Sequence, residues 1–394
     1  MEDSPPLARL RAAAAEREAA GLRRTLVPRA PRDDLLDLAS NDYLGLAGHP
    51  ALAAAAADAA VTHGTGATGS RLVTGTTTLH AELERDLAEF TGTPALVFSS
   101  GYLANVSLVT SLAKALGDVL IVSDEHNHAS LIDACRLTRA ETVITPHLDA
   151  DAVRKTLAAR DQEHALVVTD AVFSVGGELA PLADLHAAAA EHDALLLIDE
   201  AHSFGVLGDG GRGAAEQAGI AGADAIIRSV TLSKSLASQG GAVLGHDVVI
   251  QTLIDVGRGF IFDTGLAPPS VAAARAALRL IREDPGIGER ARASTRRLAA
   301  LARDAGLTVT VPDAAVVSII LGDPEVAVRA REIAADHGVR VGCFRPPSVP
   351  QGGACLRLTG KATLTENDFA VVSRTLTAIR DHCRITAQAG RKTP

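Results

Sequence analysis

Ala194-Leu195-Leu196-Leu197-Ile198-Asp199-Glu200-Ala201-His202 is an unbroken apolar run that ends in two carboxylates and a histidine. Alternation of apolar and polar residues would indicate a strand with one wet face. A continuous run indicates a strand buried on both faces, as in a parallel sheet covered by helices. The same pattern recurs at Ala95-Leu96-Val97-Phe98, Val119-Leu120-Ile121-Val122, Ala165-Leu166-Val167-Val168, Ala225-Ile226-Ile227 and Gly241-Ala242-Val243-Leu244, with Ala-rich helical stretches between the runs. This spacing predicts an α/β fold built on a large, mainly parallel sheet. Several runs end in polar clusters, Ser99-Ser100-Gly101-Tyr102, Ser123-Asp124, Thr169-Asp170 and Asp199-Glu200-Ala201-His202. Open α/β sheets bind ligands beyond the carboxyl ends of their strands, so these clusters are the candidate site.

The 394 residues exceed what one hydrophobic core usually serves. The division expected is an N-terminal arm over 1–45, a large domain over 46–284 and a smaller α+β domain over 285–394. The arm carries an amphipathic helix over 7–24. The small domain has strand-like runs at Val316-Val317-Ser318-Ile319-Ile320-Leu321 and Leu356-Arg357-Leu358, and residues 389–394 read as a frayed tail. Lys and Arg number 38 against 47 Asp and Glu, a formal charge of −9, which disfavours a surface for nucleic acid or anionic lipid. Any anion must be held by a local site. The four cysteines, Cys135, Cys343, Cys355 and Cys383, form no C-x-x-C pair, and no metal site is expected. No signal peptide and no run of 18 apolar residues is present, so a soluble cytoplasmic protein is expected.

Gly64-Thr65-Gly66-Ala67-Thr68-Gly69 matches G-x-G-x-x-G, but a helical stretch, Ala51 to Val61, precedes it where a dinucleotide fingerprint needs a strand. It reads as a loop, either merely flexible or closing over a ligand. Asp199-Glu200-Ala201-His202 spells a helicase string, yet no G-x-x-x-x-G-K-[ST] is present to hold a triphosphate. A carboxylate ending an apolar strand needs a cationic partner, either an arginine or the protonated ring nitrogen of a bound heterocycle. In Thr231-Leu232-Ser233-Lys234-Ser235, Lys234 follows a strand in a segment poor in charge. Partial burial lowers a lysine's pKa and suits it to imine formation; a lone lysine after a strand is more often just solvated, and it is the joint order with Asp199, His202 and the Ser100-Gly101-Tyr102 turn that favours the imine. Ser100-Gly101-Tyr102, at a strand-to-helix junction, offers backbone N–H groups to a phosphate, with Thr231 and Ser233 hydroxyls to complete the cradle. His126 and His128 lie just after another strand end, where a histidine can stack on a ring or simply face solvent. An imine-forming lysine, an aspartate for a ring nitrogen and an anion-binding turn are the parts a pyridoxal phosphate enzyme needs.

These segments resemble the α-oxoamine synthase family of fold-type I pyridoxal phosphate enzymes from about Arg23 to Thr363. The resemblance is carried by Ala39-Ser40-Asn41-Asp42-Tyr43-Leu44-Gly45-Leu46, Gly69-Ser70-Arg71, Ser100-Gly101-Tyr102, His128-Ala129-Ser130, Val172-Phe173-Ser174, Asp199-Glu200-Ala201-His202-Ser203-Phe204-Gly205, Thr231-Leu232-Ser233-Lys234 and Arg345-Pro346-Pro347-Ser348-Val349-Pro350. It implies that Lys234 holds the cofactor as a Schiff base and acts as acid and base. His128 would stack on the pyridine ring, Asp199 would pair with its nitrogen, and His202 and Ser174 would bond the ring oxygen. Gly101, Tyr102, Thr231 and Ser233 would hold the phosphate, with Thr264 reaching it from a partner subunit. Asn41 and Arg357 would grip the amino-acid carboxylate, and Arg23 and Thr359 would contact the acyl substrate.

The implied reaction is decarboxylative condensation of L-alanine with pimeloyl-CoA, or with pimeloyl carried on acyl carrier protein, by a homodimer with active sites at its interface. Sister activities, glycine C-acetyltransferase, 5-aminolevulinate synthase and serine palmitoyltransferase, share the cofactor residues. The Arg345-to-Pro350 string and the short N-terminus favour the pimeloyl user. A non-catalytic subunit would be expected to lack Lys234, which is present. Two departures stand out. Val175-Gly176-Gly177 follows Phe173-Ser174 where relatives carry an aspartate, and Asp263-Thr264-Gly265 replaces a hydroxyl-rich triplet, so Thr264 is the sole hydroxyl there.

Overall fold

The computed structural model describes residues 4–390 except Gly21, Thr25 and Arg32, with side chains described as far as Cys383. The chain divides into two compact units, Met1–Leu35 and Leu36–Pro394. In the first, a helix spans Pro5–Ala19, with proline tolerated in its first turn, where N–H groups lack intrahelical partners anyway. It stops short of the expected 24 and has no buried residue, so the amphipathic reading finds no covered face.

The larger unit holds two sheets, with strands β1 (Leu36–Leu38), β2 (Ala95–Phe98), β3 (Val119–Asp124), β4 (Glu141–Thr145), β5 (His164–Asp170), β6 (Leu195–Asp199), β7 (Ile226–Thr231), β8 (Gly241–Leu244), β9 (Val316–Gly322), β10 (Val339–Phe344) and β11 (Ala354–Thr359). The seven-stranded sheet runs β2-β8-β7-β6-β5-β3-β4, and β8 alone is antiparallel to its neighbours. Successive residues of the apolar runs enter two different cores, as the two-residue period of a strand requires. Leu196 and Ile198 join Val167, Leu120 and Val122 on one face, where the helices Thr78–Thr91, Leu182–Glu191 and Pro268–Glu283 pack. Leu197 joins Leu166, Val168, Ile121 and Ile227 on the other, beneath Gly101–Leu116, Ala129–Leu137 and Asp247–Val256. Each such aliphatic side chain contributes about 1.5–3 kcal/mol on burial. The run is apolar throughout because neither face of the sheet meets water.

The four-stranded sheet, ordered β1-β10-β11-β9, has a core of its own around Leu38, Val317, Ile319, Leu356 and Leu358, with the helices Ile287–Asp304, Pro324–Asp336 and Glu366–Gly390. Its edge strand β1 pairs with β10 in parallel, so residues 36–38, assigned to the arm from sequence, belong to this sheet. The last helix runs to Gly390, and the end of the expected tail lies outside the described residues. Among the described residues no disulfide is formed by Cys135, Cys343, Cys355 or Cys383. Among the described residues no helix is long and apolar enough to cross a membrane.

Candidate active site

Six strands of the large sheet point the same way, which brings the ends of β2, β3, β5, β6 and β7 to one edge. At the end of β6, Asp199 is 5% exposed. Its carboxylate accepts hydrogen bonds from Asn105 Nδ2 at 2.7 Å and from the backbone N–H of Ala201 at 2.8 Å. Asn105 Nδ2 also donates to Ser130 Oγ (2.9 Å), and Ser130 Oγ lies 2.7 Å from His128 Nδ1. One amide thus orients both the aspartate and the residue that caps the helix Ala129–Leu137. The sequence reading singles out neither Asn105 nor a role for Ser130, which enters it only within the His128-Ala129-Ser130 motif. The signal for Asn105 is a polar residue one turn inside an apolar helix, because a buried amide must find partners.

The neighbouring strand places Asp170 opposite Asp199. Asp170 is 3% exposed and accepts the His128 backbone N–H at 2.6 Å. Burial, and secondarily the charge of Asp199, pushes the Asp170 carboxyl well above the usual carboxylate range. Burial also lowers the His128 imidazole, against the pull of Asp199. His126, the alternative stacking candidate, instead lies against the His147 ring, centroids 4.2 Å apart.

Lys234 follows β7. Its Nζ lies 2.7 Å from His202 Nε2, and His202 Nδ1 lies 2.5 Å from the Tyr43 hydroxyl. Tyr43 is 3.3 Å from Asn41 Oδ1, which accepts from Arg357 Nη2 at 2.9 Å. Arg357 also donates to the carbonyls of Ser174 (2.9 Å) and Ala39 (3.2 Å), and its guanidinium lies 5.0 Å from the Phe344 ring centroid. A continuous chain of contacts therefore joins the lysine amine to the guanidinium. Burial lowers Lys234 to about 8, with Asp199 and Asp170 pulling the other way. Burial, with Lys234 and Arg357 nearby, pushes His202 well below the usual histidine range. A free amine is what attacks a carbonyl, and at pKa about 8 roughly a quarter of Lys234 is neutral at pH 7.5, against about one part in a thousand for an ordinary lysine. The rate at which pyridoxal phosphate attaches to the cofactor-free protein should rise about tenfold per unit up to pH 8 and level off above it. Stopped-flow absorbance against pH checks this, and a rate still climbing at pH 10 would contradict the lowered amine.

The phosphate candidates sit at the first turn of the helix Gly101–Leu116. Ser100 Oγ accepts from the Leu103 N–H at 3.1 Å and leaves the Gly101 and Tyr102 N–H groups without intrahelical partners. The turn is pressed onto β7 and β8. A Cβ on Gly101 would lie 3.2 Å from Thr231 Oγ1, and one on Gly241 would lie 2.6 Å from the Gly101 backbone. Thr231 Oγ1 accepts the Ser233 N–H at 3.2 Å, and both hydroxyls point to the Gly240 carbonyl. An anion here would meet first-turn N–H groups and two hydroxyls. With an amine-bearing lysine and a buried carboxylate in the same cluster, the residues fit pyridoxal phosphate. The Tyr102 side chain turns elsewhere, donating to Asp133 at 2.6 Å, so its share in anion binding is its backbone N–H.

Two expected residues of the larger unit lie apart from this cluster. Thr264 is exposed and bridges to Ser70. Thr359, expected at the acyl chain, is 0% exposed at the end of β11, and its hydroxyl has no partner among the described residues. It lies opposite Val316 of β9. Arg23 belongs to the Met1–Leu35 unit, where it meets the Glu18 carboxylate at 2.7 Å.

The model of the family "Aminotransferase class I and II" matches residues 33–376. An 8-amino-7-oxononanoate synthase of Mycolicibacterium smegmatis is 54% identical over 375 residues, covering 95% of this chain and 97% of that one. The structure of Sphingomonas wittichii serine palmitoyltransferase superposes with a TM-score of 0.91 at 30% identity, covering 97% of this chain and 100% of that one. A structure of SPT with a PLP internal aldimine superposes at 0.88 with 30% identity, covering 95% of this chain and 98% of that one. The chain belongs to the aminotransferase class I and II family and, within it, to the α-oxoamine synthase branch that holds the 8-amino-7-oxononanoate synthases.

Proposed function

We propose that the protein condenses L-alanine with pimeloyl-CoA, or with pimeloyl carried on acyl carrier protein, to 8-amino-7-oxononanoate with release of CO2 and the free thiol, a step of biotin biosynthesis. The observation that carries the reaction class is the contact chain from the Lys234 amine through His202, Tyr43 and Asn41 to Arg357. It sets a proton-transfer group and a carboxylate-binding group in one site. Pyridoxal phosphate, when bound, supplies the electron sink that stabilises charge at the amino-acid Cα. Asp199 offers its buried carboxylate to the ring nitrogen, and His128 offers its imidazole to the ring face. Gly101 and Tyr102 N–H groups with Thr231 and Ser233 hydroxyls hold the phosphate. Arg357 and Asn41 grip the alanine carboxylate, for which a guanidinium fork is suited. Lys234, with an amine near pKa 8, takes the Cα proton and returns one after CO2 leaves.

The similarity to the Mycolicibacterium enzyme supports the pimeloyl substrate. We further assign an arm ahead of β1, a large domain over 46–284, a small domain over 285–394 whose sheet β1 joins, and a cytoplasmic homodimer in which Thr264 reaches the phosphate across the interface. The exposure of Thr264 suits that role. Turnover should be measured with alanine, glycine and serine against pimeloyl-, acetyl- and succinyl-CoA. Alanine with pimeloyl-CoA is expected to exceed every other pair. Because a methyl group is worth about 1–3 kcal/mol, the margin of alanine over glycine is expected at about tenfold or more. Appreciable rate with glycine alone would overturn the assignment.

A further inference from the structure

We propose that Tyr43 is a positioning residue that holds His202 in the tautomer with its proton on Nε2, so that the imidazole presents a donor to the reacting centre. The heavy-atom distances favour one placement of the protons. Tyr43 is 0% exposed and His202 4%, and a neutral imidazole carries one N–H. The Tyr43 hydroxyl has two neighbours, His202 Nδ1 at 2.5 Å and Asn41 Oδ1 at 3.3 Å. The shorter contact takes the hydroxyl proton, because a hydrogen bond weakens steeply with length. The Asn41 oxygen, moreover, is already served by Arg357. With Nδ1 accepting from the phenol, the ring proton lies on Nε2, the nitrogen 2.7 Å from Lys234, whose amine accepts it only when neutral, as it is once it has lost its proton or is linked to the cofactor. The phenol keeps its proton, because burial raises Tyr43 above the usual tyrosine range. The cations facing His202 are Lys234 and Arg357, with His128 the nearest other imidazole, and all three disfavour a second proton on the ring.

This inference rests on the cofactor reading. A donor on Nε2 suits an anionic ring oxygen beside the lysine linkage, and stabilising that oxygen lowers the affinity of the linkage for its own proton. The test is a pH titration of the visible absorbance of the holoenzyme. In Tyr43→Phe the midpoint is expected to rise by about one unit, a tenfold gain in proton affinity, with kcat about tenfold lower and the KM for alanine within about twofold. The KM holds because Arg357 still donates to Asn41 Oδ1 directly, at 2.9 Å. In a His202→Gln background the same Tyr43→Phe change should move nothing, as a double-mutant cycle requires for a residue acting through another. Nitrogen-15 histidine spectra of the wild-type holoenzyme, with the His202 signals identified by their loss in His202→Gln, should show Nδ1 unprotonated. A protonated Nδ1, an unmoved midpoint, or an equal shift in both backgrounds would overturn the role of Tyr43. A wild type that develops no visible band would overturn the cofactor reading instead.

Discussion

Lys234→Ala is expected to give a protein without the visible cofactor band and with turnover at least about 10⁴-fold below wild type. Two losses combine. The amine that forms the covalent link is gone, and so is the group that takes and returns the Cα proton, by itself worth about 10²–10⁴. The loss should not come through unfolding. Burial depresses the folded-state pKa of Lys234 to about 8 from 10.5, so below pH 8 the folded protein bears the full cost of holding a protonated amine in a buried site. That cost fades as pH rises from 8 to 10.5. Without cofactor, Lys234→Ala should therefore melt no lower than wild type at pH 7, and any advantage it has should shrink over that interval. Calorimetry at pH 7 and pH 10 measures this. A variant that keeps the visible band, or that loses activity together with its melting transition, would contradict the assignment of Lys234.

The large sheet was legible because its strands lie between two helix layers, and a strand with no wet face can only be written as Leu196-Leu197-Ile198 is. The strands that escaped notice lie where that constraint is relaxed. β4 is the sheet edge, with Glu141 and Ile144 exposed, and β10 has a half-buried pattern, Val339-Arg340-Val341-Gly342-Cys343-Phe344. β1 is three residues long and becomes a strand only by pairing with residues some 300 positions later. Such elements take their conformation from partners rather than from local pattern. The site divides in the same way. Lys234, Asp199 and His202 stand out because each follows an apolar run, and Ser100-Gly101 because a helix starts there. The Tyr43–His202 and Asn41–Arg357 contacts span 159 and 316 residues, and no local feature announces them. Thr359 shows what a motif leaves out. A motif names it without telling that its side chain is fully buried at the end of β11.

Asp199→Asn is the second large effect. The substitution preserves shape and leaves an oxygen able to accept from Asn105 or Ala201, so the fold and the Asn105–Ser130–His128 links should persist. What disappears is a negative charge 5% exposed to solvent, the partner a protonated ring nitrogen needs. Removing one member of a buried charge pair costs about 3–5 kcal/mol, so kcat for alanine and pimeloyl-CoA should fall about 10²–10⁴-fold. The adjacent carboxyl provides the internal control. Asp170, on the next strand, is already held well above the usual carboxylate range by burial and by Asp199. Asp170→Asn therefore removes less charge and retains an acceptor for the His128 N–H, and is expected to lower kcat about tenfold or less. Steady-state kinetics of the two variants, with cofactor content checked by absorbance, decides between the carboxyls. If Asp170→Asn proved the more damaging, the ring nitrogen would have to be assigned to β5 instead of β6. The choice between two similarly buried side chains would then fall on the one that also fixes the backbone of His128.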